Sequence, residues 1–122
     1  MLKTIGAVAA GALLWIVLAS ITDRVMRAEW PQYQAVWSAM AFTLPMMFAR
    51  LAESTVALVI AAWVTARIAE GSRAAPWALA AVMLAVFIPV HVMIWSRLPI
   101  WYHAYFLTSL LVLPPLTARL AR

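Results

Sequence analysis

Long apolar runs alternate along this chain with short polar breaks. Residues 2–22 are predominantly apolar after Lys3, residues 39–69 are predominantly apolar with Arg50, Glu53 and Arg67 their only charges, and further runs cover 76–95 and 100–115. A bilayer core takes about 20 helical residues, so each run is long enough to span one. The run from Ala39 exceeds that length, and Pro45 divides it into an interfacial or steeply entering piece and a helix from about Phe48 to Arg67. The pattern predicts four transmembrane helices, at about 2–22, 48–67, 76–95 and 100–115, with an interfacial segment over 23–47. Two adjacent prolines, Pro114 and Pro115, are expected to kink or end the last of them.

The polar breaks read as turns and interface. Residues 23–38 interleave charges with Trp30, Tyr33 and Trp37, a mixture suited to the headgroup level. Gly71 can end the second span, and Pro76 suits the first turn of the next. The opening run, with its lysine, also has the look of a secretory signal. It exceeds the usual signal core of roughly 7 to 15 residues, and no clean A-x-A site precedes Asp23, so a retained span is expected.

Composition turns the pattern into a fold class. Of 122 residues, 67% are hydrophobic and 11% charged, with a mean hydropathy of +0.96. Soluble domains carry about a quarter charged residues, so the expectation is an all-α polytopic membrane protein forming a single domain, residues 1–122. The lipid bilayer is its first partner. No cysteine is present, which excludes disulfides and thiolate metal sites. The net charge of +5 comes from basic residues flanking the apolar runs, which argues against nucleic-acid binding. With the amino terminus inside, Lys3, Arg67, Arg73, Arg119 and Arg122 are cytoplasmic and Arg24, Arg27 and Arg97 lie opposite; the bias favours both termini inside.

Small residues mark the packing faces. Gly6 with Ala10, and Ala7 with Gly11, let a neighbouring backbone approach the first helix closely. In the second span Ala49, Glu53, Ala57 and Ala61 share one face at i, i+4 spacing, which points Glu53 toward a helix neighbour rather than toward lipid. These stripes and the small size of the bundle imply a homo-oligomer or a place in a larger membrane complex.

The candidate chemistry lies in one layer. At about 1.5 Å per residue, Glu53 and His91 each lie roughly 21 Å from the cytoplasmic ends of their helices, and His103 is level with His91 across the Ser96–Pro99 turn. Arg50, Glu53, His91 and His103 therefore fall in the outer third of the bundle, with Trp95, Trp101, Tyr102 and Tyr105 nearby. Ionisable groups within spans are costly and mark either helix registry or function. Four readings are open. Glu53 can neutralise Arg50 while the histidines bond carbonyls freed by Pro89; Glu53 can be the protonatable group of a small oligomeric exporter or channel; Arg50 and the aromatics can hold an anionic or amphiphilic ligand; or His91 and His103 can ligate haem, or with Glu53 a metal. No GxSxG, glycine-rich phosphate loop, CxxCH or HExxH occurs, so no catalytic residue is assigned and a resident cofactor is not expected.

AAWVTARIAE (61–70) and WYHAYFLTSLLVLPPLTARL (101–120) resemble parts of small uncharacterised bacterial four-helix inner-membrane proteins. The resemblance covers about a quarter of the chain and implies a bacterial inner-membrane location with no transferable activity. In size and span count the chain is also similar to small multidrug-resistance exporters, but those carry an essential glutamate in the first helix, where this chain has no acid before Asp23. The expectation is a non-enzymatic accessory subunit or binding module, with a proton-coupled exporter or channel through Glu53, and a bis-histidine haem or metal protein, as alternatives.

Overall fold

A computed structural model describes residues 2–121, and among these residues the chain is helical with no strand. The helices are α1 (Leu2–Glu29), α2 (Pro31–Val36), α3 (Leu44–Ile68), α4 (Ala74–Met93) and α5 (Ile100–Leu120), with a 3-10 turn at Trp95–Arg97. Helices α1, α3 and α4 are long and apolar enough to cross a membrane; α5, interrupted by Tyr102, His103, Ser109 and two prolines, is not among them. By length and composition, three of the helices could therefore span a membrane.

Element boundaries differ from the expected ones in instructive ways. Helix α1 continues past Thr22 to Glu29. Asp23 and Arg27 pair one turn apart at 3.2 Å, acid before base, the favourable order, and the polar last turns stay helical. Trp30 then leaves helical geometry (φ −129°, ψ 89°), as a residue before proline tends to, and Pro31 starts α2 at a position where its missing N–H costs nothing. Met40 closes the following turn at φ 55°, with Met40 N–H bonded to Trp37 O at 3.2 Å and Ala41 N–H to Val36 O at 3.3 Å. That bond pair is a Schellman closure, with methionine in the left-handed position that glycine usually takes.

Pro45 does not break α3; it lies in its first turn, so the helix begins at Leu44 rather than near Phe48. Its last turns lead into Gly71 at φ 84°, and the Ser72 hydroxyl accepts from Ala75 N–H at 3.2 Å to start α4. Pro114 and Pro115 do not end α5 either, which runs on to Leu120. Pro114, Thr117 and Ala118 are buried, so packing holds the final turns helical although two backbone donors are missing.

The long helices pack as a four-membered ring in the order α1, α3, α5, α4. The seam between α1 and α3 is the closest. Ala7 is buried, a Cβ on Gly11 would collide with Thr65 Oγ1 and stand 3.1 Å from Ala61 O, and Thr65 Oγ1 donates to Ala7 O at 3.2 Å. Ala57 and Ala61 are buried in the same seam, while Ala49 and Glu53, on their stripe, are half-buried nearer the start of α3. Gly6 is exposed with open space over it, and Ala10 is half-buried, so within one chain only the Ala7–Gly11 stripe is used for close approach. Trp15, Phe87 and Phe106 form an edge-to-face aromatic cluster that closes the core toward α4 and α5.

Candidate functional site

Beyond the aromatic cluster the bundle encloses a half-open cavity of about 460 Å³. That is the size of a small-molecule site. Its walls come from every long helix: Trp15 and Asp23 of α1, Arg50, Glu53 and Ser54 of α3, Phe87 and His91 of α4, and Tyr102 and Phe106 of α5. The turn after α2 covers it with Trp37, Met40 and Phe42. Lining residues that are also exposed mark the mouth: Ile16 and Ser20 on α1, Val90 on α4, and Trp37 and Ser38. The rim between α1 and α4 is therefore largely apolar.

Arg50 is held from three directions. Its Nη1 donates to Tyr33 Oη at 2.7 Å and its Nε to Tyr102 Oη at 3.1 Å, while Asp23 Oδ1 lies 3.7 Å from Nη1. Tyr33 in turn donates to Asp23 Oδ1 at 2.7 Å, so the fully buried phenol links the two charges. Burial first, and then the bond to Asp23, push the Tyr33 phenol well above the ordinary tyrosine range and keep it a donor. The Arg50 guanidinium also lies over the Phe42 ring at 4.6 Å, and Arg27, the second partner of Asp23, over Trp37 at 4.2 Å.

Glu53 has no such partner. Among the described residues no hydrogen bond or ion pair reaches its carboxylate, which lines the cavity half-buried. The partner of Arg50 is Asp23, from another helix, and not the glutamate three residues along its own. Ser54 and Trp15 beside the cavity each carry a buried polar atom, Oγ and Nε1, without a partner. Among the described residues no base lies within hydrogen-bond reach of that serine.

The two histidines meet. His91 Nδ1 and His103 Nδ1 are 2.6 Å apart, and His103 Nε2 lies 3.1 Å from Trp95 O. Both rings are buried, His91 against Phe106 and His103 stacked on the Trp95 indole at 4.4 Å. Only His91 lines the cavity; His103 and Trp95 stand behind it. A tetrahedral metal ion ligated by both rings would need the two nitrogens to part to about 3.3 Å, the spacing set by two bonds of about 2.0–2.1 Å. Among the described residues no three His, Asp or Glu side chains are grouped to hold a metal ion.

The cavity thus gathers Arg50, Glu53, His91 and Tyr102. Tyr105 faces away, its Oη 2.8 Å from Thr55 Oγ1, and Trp101 packs on Phe48. Sequence reasoning missed Asp23 and Tyr33. The signal for Asp23 was the Asp23–Arg27 spacing, which carries α1 past the end of the apolar run; Tyr33 gave none, because a tyrosine in an interfacial segment reads as an anchor. Comparisons with protein-family models, with curated proteins and with solved structures each gave no match.

Proposed function

We propose that this protein is a non-enzymatic binding module of the membrane, an accessory subunit that receives the head of a cationic amphiphile in the cavity between α1 and α4. The observation that carries the reading is the partnerless Glu53 carboxylate. Asp23, Tyr33 and Tyr102 already engage Arg50, so Glu53 is the cavity carboxylate with no hydrogen-bond or ion-pair partner among the described residues. The aromatic walls suit the body of an amphiphile, and the apolar rim of Ile16 and Val90 lets an alkyl chain leave toward lipid. In this reading α5, as long as α4 and packed on both α3 and α4, is a fourth span, and both termini are cytoplasmic in a bacterial inner membrane.

Titration of decylammonium into the protein in nanodiscs, against empty nanodiscs, tests it. Saturable binding is expected, weakened about tenfold or more by Glu53→Gln. No saturable binding, or unchanged binding in the variant, overturns the reading. The same lone carboxylate supports a second reading, a proton-coupled exporter working as an oligomer, in which Glu53 exchanges its ligand for a proton. Proteoliposomes carrying a pH gradient separate the two: efflux of the amine that follows the gradient and is lost in Glu53→Gln selects the exporter.

A further inference from the structure

We infer that the cavity selects a primary ammonium head over a quaternary one, because the histidine pair presents an acceptor nitrogen to the same cavity that the Glu53 carboxylate lines. This deepens the proposed function and rests on it. A carbonyl oxygen can only accept, so the 3.1 Å contact between His103 Nε2 and Trp95 O places a proton on Nε2. Neither ring has an acid among its hydrogen-bond partners, and both are nearly or fully inaccessible. An unpaired imidazolium there costs several kcal/mol, so the pair is neutral. Neutral His103, protonated on Nε2, offers only a lone pair on Nδ1. The 2.6 Å contact therefore carries a proton donated by His91 Nδ1, and His91 keeps its lone pair on Nε2.

One backbone carbonyl thereby fixes the tautomer of a ring two steps away. His91 is the member of the pair that lines the cavity, it is only 3% exposed, and among the described residues no protein donor reaches its Nε2. The cavity then offers two acceptors, the His91 nitrogen and the Glu53 carboxylate, to one head. A primary ammonium brings three N–H donors and satisfies both. A trimethylammonium of the same charge brings none, and leaves the His91 lone pair unmet in a dehydrated site.

Decylammonium and decyltrimethylammonium, equal in charge and chain length, form the test in nanodiscs. The wild-type protein is expected to bind the primary amine about tenfold or more tighter, and in His91→Phe the ratio falls toward one. Nitrogen-15 NMR of the histidines gives a readout that does not depend on the variant folding: His91 Nε2 is unprotonated in the free protein and shifts with decylammonium but not with the quaternary probe. Equal affinities in the wild type, or a proton on His91 Nε2 in the free protein, overturn the selectivity while the amphiphile reading stands. Failure of both probes to bind overturns both.

Discussion

Arg50 carries a charge at a depth where a lone guanidinium is costly, and its surroundings show how that cost is met. Two phenols and a carboxylate from three other elements converge on it, and hydrogen bonds to a charged group contribute about 1.5–3 kcal/mol each. Asp23→Asn removes the only anion paired with it among the described residues and is expected to destabilise the fold by about 1–3 kcal/mol, read as a lower midpoint of thermal unfolding in detergent. Tyr33 adds a pH dependence with a definite sign. Its phenol titrates higher in the folded chain than in the unfolded one, so the unfolded chain loses the proton first. Stability is therefore full below pH of about 10 and falls as pH rises above it, and Tyr33→Phe removes that part of the alkaline loss. Unfolding midpoints measured between neutral pH and pH of about 11 for both proteins check this.

Among the elements, α1 and α3 depend most on side-chain size. Gly11 lies against the Thr65 hydroxyl and the Ala61 carbonyl, and Thr65 is branched and bonded to Ala7 O, so it has little room to yield. Gly11→Ala is expected to force the seam open, at about 1–3 kcal/mol, whereas Gly6→Ala, five residues earlier over open space, is neutral or slightly stabilising. Unfolding midpoints of the two variants, compared side by side, check the contrast. Helix α5 shows propensity giving way to packing. Two prolines deny it two backbone donors, yet the buried residues beyond them hold its last turns in place.

At the scale of the whole molecule, the ring α1–α3–α5–α4 leaves its polar interior at one end, and the cavity there opens between α1 and α4. Ala19 lines that cavity from α1, half-buried. Ala19→Phe is expected to fill the cavity and weaken decylammonium binding about tenfold or more, with a much smaller effect on the unfolding midpoint; the pair of measurements separates a blocked site from a damaged fold. The proposed four-span arrangement predicts that a reporter inserted at Gly71 lies on the cytoplasmic side, one at Arg97 on the opposite side and one after Leu120 on the cytoplasmic side again. Reporters at Arg97 and after Leu120 on the same side would sink it.

The helices and the chemistry-bearing residues were legible in the chain because apolar run length sets helix length and because charges are rare enough among those runs to stand out. Depth along a helix follows from counting residues, which is why Arg50, Glu53 and His91 emerged as one layer before any contact was known. Rotation about each helix axis does not follow from counting, and that is what the tertiary structure decided. It turned Arg50 toward Asp23, Tyr33 and Tyr102, left Glu53 facing the cavity alone, and brought the histidines into contact with each other. The partner of a charge inside such a bundle is chosen by how neighbouring helices seat against it. Here that seating is set by the Gly11–Thr65 approach and by the continuation of α1 past its apolar run, neither of which is local to Arg50 or Glu53.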